Sequence, residues 1–323
     1  MKISIVKTSL LALGFAVSTV AQAAWPKKPI RVIVPFSAGV GGDVMMRLIT
    51  EDLGHRLGQP VVVENREGAA GNIGTTVAAN SAPDGYTFLV SQTSNFVINQ
   101  HLFRSFKVDP LTAFEPVVHM GNTPAVLLTN ADIPPNDLQA FTDYAKAHKG
   151  KLNYGSPGVG TPPHLTLMAL NQTRDLGMIS VTYRGSSPVL LALVSGELTA
   201  GFALYGQALQ FIKAGKIRPL AVQGTKRLRM LPDTPSFAEF GMTGVGTEPW
   251  WAMVAPKGTP TAIMEKMNEA VRAALSSPKV RQQLEDAGID PVASTREEAV
   301  EKFRSEANTW AKIIRNLNVE TQD

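Results

Sequence analysis

Ile30-Arg31-Val32-Ile33-Val34-Pro35-Phe36-Ser37-Ala38-Gly39-Val40-Gly41-Gly42-Asp43 is a buried-strand pattern that runs into a small-residue loop and, at Asp43, into a helix start. A strand, a glycine-rich turn and a helix N-terminus bring several free backbone N–H groups to one point, which suits a small anion. The alternation then repeats. Val61-Val62-Val63-Glu64-Asn65 reads as a second strand, Gly68-Ala69-Ala70-Gly71-Asn72-Ile73-Gly74 leads into a second helix, and Pro83-Asp84-Gly85-Tyr86 turns into a strand over 87–90. Strand, helix, strand, helix, strand is a parallel α/β layer.

Further along, Ser91-Gln92-Thr93-Ser94-Asn95 is a polar run at a strand's C-terminal end, where open α/β sheets place their ligands, so Thr93 and Asn95 are candidate contacts. Residues 109–114 read as a surface loop, 115–120 and 125–128 as strands, and Gly121-Asn122-Thr123-Pro124 as a hinge between them. A helix over 136–148, capped near Asn136, precedes a second small-residue loop, Gly155-Ser156-Pro157-Gly158-Val159-Gly160-Thr161, and a helix from Pro163. Strands over 181–183, 199–204 and 217–222 alternate with helices over 187–195 and 207–214. A strand over 250–254 and helices over 261–276, 278–287 and 296–316 follow. One arrangement uses every element: domain one is 24–122 with 229–323, and domain two, 123–228, is inserted. The loops at Ser37 and Ser156 then face each other across a closing cleft.

The first residues read as an export signal. Lys2 and Lys7 open a short basic segment, 10–20 is apolar, and Ala21-Gln22-Ala23 is a small-x-small cleavage site, so cleavage is expected after Ala23. The apolar run is shorter than the ~20 residues that span a bilayer. The 323-residue chain contains no cysteine, which removes disulfides, thiolate metal sites and a cysteine nucleophile. Its formal net charge of +4 includes the two signal lysines, no run of five or more lysines or arginines appears, and the aromatics are not interleaved with basic residues, so nucleic-acid binding has little support.

These segments resemble the substrate-binding receptors of the tripartite tricarboxylate transporters, the Bug-type family. The resemblance is carried by Trp25-Pro26 with Pro29 and the strand to Phe36, by Gly58-Gln59-Pro60-Val61-Val62-Val63-Glu64-Asn65-Arg66, and by Gly68-Ala69 with Gly71-Asn72-Ile73-Gly74. It continues through Ala82-Pro83-Asp84-Gly85-Tyr86-Thr87, Phe114-Glu115-Pro116-Val117, Asn153 to Thr161 with His164-Leu165, Tyr183-Arg184-Gly185, and Ala255-Pro256 with Gly258-Thr259-Pro260. It spans essentially the whole mature chain. It implies an α/β, two-domain periplasmic binding protein of the type II, Venus-flytrap kind, with the ligand cleft between domains and a small organic carboxylate as cargo. It also implies transporter membrane subunits as partners, a monomeric receptor, and no cofactor or metal.

Carried onto this chain, the anchor loop is Ser37, Ala38, Gly39, Gly41 and Gly42 with Asp43 at the helix start, and the opposing loop includes Ser156, Gly160 and Thr161. Ser37 and Ser156 are read as hydroxyl donors to the ligand in preference to simple caps. Asp43, beside an anion site, is read as a cap or an orienting acceptor for loop amides. Arg184 is placed either on the outer carboxylate or on the surface. His164, at a helix start, reads as a packing or capping group ahead of a ligand contact. A bulky residue at Gly41 or Gly42 is expected to block amide approach with the fold retained.

Two departures from the family pattern bear on the ligand. Val40 interrupts the glycine pair, and Gly201-Phe202-Ala203-Leu204-Tyr205 lacks the aspartate that often follows the equivalent strand, where it would meet an ammonium. A C4 to C6 di- or tricarboxylate is therefore expected first. An aromatic carboxylate comes second, with Phe36, Phe96, Phe202, Tyr205 and Trp250 as candidate walls. An exported carboxylate-processing enzyme is the alternative of another class. It finds no dinucleotide fingerprint, no His-Glu-x-x-His and no Gly-x-Ser-x-Gly in support.

Overall fold

The computed structural model describes residues 25–242 and 247–322, so the expected signal segment lies outside the described residues. In chain order the elements are β1 (Ile30–Val34), α1 (Gly41–Leu57), β2 (Val61–Asn65), α2 (Asn72–Ala79), β3 (Thr87–Gln92), α3 (Asn99–Leu102), α4 (Pro110–Ala113) and β4 (Phe114–Asn122). Next come β5 (Ala125–Asn130), α5 (Leu138–Ala147), β6 (Asn153–Ser156), α6 (Pro162–Thr173), β7 (Ile179–Thr182), α7 (Ser186–Val194), β8 (Ala200–Leu204), α8 (Tyr205–Lys213) and β9 (Ile217–Val222). The chain closes with β10 (Trp250–Pro256), α9 (Thr261–Leu275), α10 (Pro278–Asp286), β11 (Asp290–Pro291) and α11 (Arg296–Leu317). A π-helical turn, Ser94–Ile98, joins β3 to α3. The stretch 109–114, expected as loop, contains the one-turn α4, whose N-cap Asp109 accepts from the Leu111 amide. Asp137, not Asn136, caps α5.

Two mixed α/β domains are built on two sheets. The first has strand order β11-β4-β10-β3-β1-β2 and the second β7-β6-β8-β5-β9. The parallel layer read from the sequence holds for β2, β1 and β3. It ends there, because β10 runs antiparallel to both β3 and β4. The reason is topological: the chain returns from the second sheet to the edge where β3 and β4 end, and from that edge β10 can only run back.

Register places the two ligand-facing edges. Trp250 pairs with Asn122 and Trp251 with Gln92, so β10 starts where β3 and β4 finish. In the second sheet Ala125 pairs with Leu204, Val126 with Val222 and Ser156 with Thr182. The two crossings between the sheets are tied together by Thr123 N to Pro249 O (2.8 Å), Tyr205 N to Pro124 O (2.8 Å) and Gln223 N to Ala125 O (2.9 Å).

Period-two alternation along β10 sends its tryptophans to opposite faces. Trp251 packs with Met45, Ile49 and Leu53 of α1, and Trp250 with Phe96, Phe303 and Trp310. The Phe96 and Trp250 rings stack at 5.7 Å. In the second domain Phe141, Leu167, Phe202 and Phe237 fill one face of the sheet and Val189, Leu193 and Ala208 the other. Helix α6 belongs to both cores, since Leu165 is buried with Trp250 and Trp310 while Leu167 faces Phe141 and Phe202.

Candidate ligand site

Asp43 organises the loop between β1 and α1. Its carboxylate accepts from Gly39 N (2.8 Å), Arg47 Nε (2.8 Å) and Asn65 Nδ2 (3.0 Å), and Asn65 also donates to the Phe36 carbonyl (2.9 Å). Burial opposes ionisation here, but the hydrogen bonds from Arg47, Gly39 and Asn65 outweigh it and hold the carboxyl below its usual range. The side chain is a buried orienting acceptor, with its oxygens turned inward to the loop. Asp43→Asn presents N–H to these donors and is expected to cost about 2 kcal/mol. Urea unfolding measures this, and an unchanged midpoint refutes the role. A carboxyl with a depressed pKa contributes stability above its ordinary range and loses it as pH falls through the lowered value, so the variant should differ least in acid.

The rest of this loop departs from the expected cradle. Ser37 is exposed and donates to the Glu67 carboxylate. Ala38 and Gly39 are exposed, and Gly39, at φ +86°, has its amide engaged by Asp43. The first backbone bond of α1 runs from Val44 N to Val40 O, which leaves the amides of Gly41, Gly42 and Asp43 without an intrahelical acceptor. A Cβ built on Gly41 would lie 3.0 Å from Thr123 and from the Trp251 indole, and one on Gly42 would lie 2.4 Å from the Trp251 ring. Gly42 is therefore a packing glycine. The expectation that a bulky residue there spares the fold is corrected.

Between the domains lies a cavity of about 450 Å³. Phe36, Ala70, Gln92, Ser94, Asn99 and Phe103 wall it from the first domain. Pro157 to Val159, Thr161, and Thr182 to Gly185 wall it from the second. Its lining holds one cation, Arg184, and no carboxylate. Arg184 is exposed and makes no ion pair or hydrogen bond among the described residues. The domains touch beside it, where Ser94 Oγ donates to the Gly160 carbonyl at 3.4 Å.

Four consecutive residues, 68–71, take positive φ. Ala69 (+46°) and Ala70 (+55°) are alanines in the left-handed region, which costs of order 1–2 kcal/mol each. Asn95 Nδ2 (2.9 Å) and Asn99 Nδ2 (3.3 Å) both donate to the Ala70 carbonyl and hold this turn against the cavity. Asn95 is thus a support for the wall, with its Oδ1 accepting from Ser91 Oγ at 2.8 Å.

Of the remaining expected residues, Thr161 and Arg184 line the cavity. Thr93 does not: it is fully buried, and its hydroxyl accepts from Trp250 N at 2.9 Å. Ser156 is fully buried, and its hydroxyl has no partner among the described residues. Gly160 permits close approach, since a Cβ there would stand 2.7 Å from Leu102. His164 faces a different surface groove, and its Nδ1 accepts from Gly160 N at 3.4 Å. Burial pushes its pKa down to about 4, so the ring is neutral and offers no charge to an anion. Pro162 and Pro163 open α6 without N–H groups, and the His164 amide is taken by Thr161 Oγ1, so the amides this loop offers are those of Gly158 and Val159. Of the aromatic wall candidates, Phe36 borders the cavity, while Phe96, Phe202, Tyr205 and Trp250 are core. Sequence reasoning missed Ala70, Asn99, Phe103, Thr182 and Tyr183.

Two mixed α/β domains joined by two crossings, with strand-end loops walling a cleft between them, define a periplasmic solute-binding protein. The chain belongs to the family described as the tripartite tricarboxylate transporter family receptor, whose model matches residues 45–319. The protein BugT of Bordetella pertussis is 35% identical over 317 residues, covering 95% of this chain and 97% of its own. An R. palustris protein solved with adipate superposes with a TM-score of 0.81 at 30% identity, covering 93% of this chain and 100% of that one. MatC from Rhodopseudomonas palustris with bound malate gives a TM-score of 0.75 at 30% identity, covering 90% and 100%. The chain is accordingly a periplasmic receptor for a small organic acid. Its family is one of binding proteins that serve a membrane transporter, not of enzymes.

Proposed function

We propose that this receptor captures an aliphatic C4 to C6 di- or tricarboxylate between the loop 37–42 and the segments 157–161 and 182–185. In this reading the amides of Gly158 and Val159 meet the inner carboxylate, closure brings up the free amides of the α1 N-terminus, whose loop reaches the cavity lining only at Phe36, and the outer carboxylate meets Arg184. The observation that carries it is the charge of the lining: among the described residues it holds one guanidinium with no ion pair and no acidic side chain. An anion gains a charge-assisted hydrogen bond there, whereas an ammonium finds no counter-charge. Adipate and malate in the two related structures are dicarboxylates of this size. Phe36, Phe103 and Tyr183 on the walls favour an aromatic carboxylate as the second reading.

The domains that close on the ligand are taken as 24–122 with 229–323, and 123–228. Closure follows only if the ligand binds the closed form more tightly than the open one. Arg184→Ala is expected to weaken adipate or malate binding about tenfold to a hundredfold in isothermal titration calorimetry. Equal affinity in the variant overturns the assignment of Arg184, and binding of benzoate or phthalate in preference to both aliphatic acids promotes the second reading.

A further inference from the structure

Beyond the cleft, at the crossings, a second cavity of about 580 Å³ shares no lining residue with the first. Asn122 and Pro124 of one crossing, residues 225–230 and Glu248 of the other, and the segment from Arg281 to Asp290 enclose it. Two of its cations are satisfied: Arg227 is bonded to Glu239 (2.8 Å) and Arg229 to Glu285 (2.5 Å). The side chains of Lys226 and Arg281 make no salt bridge or hydrogen bond among the described residues. Glu248 accepts from Asn122 Nδ2 at 3.0 Å but, like Asp290, has no salt-bridge partner among them. The cavity thus gathers charge of both signs that no ion pair within 4 Å joins, on the half-buried Glu248 and Arg281 and, at its mouth, on the exposed Lys226 and Asp290.

We propose that this cavity is a second binding site, for a small zwitterion whose ammonium lies between Glu248 and Asp290 and whose carboxylate turns to Arg281 and Lys226. Both carboxyl groups have the character such a site needs. Burial pushes Glu248 up to about 7, with Asp290 and Glu306 adding to it and Lys302 and Lys226 opposing it, and burial also raises Asp290, with Glu285 adding and Arg281 and Arg229 opposing. A bound ammonium adds positive charge beside both and favours their ionised form. Carboxyl groups set beside Arg281 and Lys226 suit a ligand that itself carries both signs of charge. Because the walls come from both crossings and from the first domain, occupancy is linked to the angle between the domains and so to capture in the cleft.

The test is calorimetry of the mature protein with β-alanine, 4-aminobutyrate and L-lysine, a series that brackets the charge separation, against propionate and propylamine, which each carry one charge. At least one zwitterion is expected to bind saturably, and at least tenfold more tightly than either control. Glu248→Gln and Arg281→Met should each weaken it tenfold or more, while Arg184→Ala leaves it within twofold. Absence of saturable zwitterion binding overturns the site. So does binding lost in Arg184→Ala and kept in Glu248→Gln, which would place the zwitterion in the cleft. Neither result bears on dicarboxylate binding by the wild-type protein, so the two proposals fail separately.

Discussion

Glu248→Gln should stabilise the receptor by on the order of 3 kcal/mol at pH 8 and by almost nothing at pH 4. The carboxyl is raised from 4.5 to about 7 chiefly by burial, with Asp290 and Glu306 adding and Lys302 and Lys226 opposing. The folded protein therefore holds a proton there that the unfolded chain releases between about pH 4.5 and 7. A group with a raised folded pKa contributes fully below the unfolded value and loses that contribution as pH rises through the folded one. Glutamine keeps a carbonyl for Asn122 and removes the charge. The neighbouring chain is consistent: His119, pushed down to about 4 mainly by burial, is neutral and shares 2.9 Å with Asn122 Oδ1, leaving the Asn122 amide to face Glu248. Both buried histidines act in the opposite sense, losing stability as pH falls from 6.5 towards 4, so the difference between wild type and variant is the informative quantity. Melting curves from pH 4 to 8 should separate by about 5 °C at the alkaline end. Parallel curves across the range would mean that Glu248 ionises normally.

The elements of the cleft were legible wherever residue type alone dictates backbone. Val32 to Val34, the small residues of 37–42 and the paired prolines after Thr161 announce a strand, a loop and a helix start without any tertiary information. Pro162-Pro163 also carried a message that went unread, because a helix opening on two residues without N–H is a poor anion cradle. Other features depend on partners far away in the chain. Nothing local marks Ala69-Ala70 as left-handed, since the cost is met by Asn95 and Asn99 from the segment after β3. Nothing local marks β10 as antiparallel either; its direction follows from where β9 leaves the second sheet. The cavity at the crossings draws Asn122, Lys226, Glu248, Arg281 and Asp290 from separated segments, a grouping that no spacing rule detects.

Alanine at two glycines of α1 should move stability in opposite directions. At Gly54 a Cβ would sit 3.6 Å from the Gln59 carbonyl, an ordinary contact, and alanine in a helix is favoured over glycine by roughly 0.5–1 kcal/mol, so Gly54→Ala should stabilise by about that amount. At Gly42 the same atom would lie 2.4 and 2.5 Å from the Trp251 ring carbons Cζ3 and Cε3, which no rotamer of alanine relieves. The ring is not free to yield. It is 2% exposed, donates from Nε1 to Thr123 Oγ1 at 3.3 Å, and meets the Phe36 ring edge-on at 5.5 Å. Moving it therefore disturbs a crossing between the domains and a wall of the cleft together. Overpacking a well-filled core costs about 1–3 kcal/mol per intrusion, and Gly42→Leu adds branched carbons to the same clash, so it should exceed the upper figure and leave little folded protein. Urea midpoints measure the series. A Gly42→Ala midpoint at or above wild type would remove Trp251 as the reason for glycine at that position, and would return Gly42 to the role of admitting a ligand.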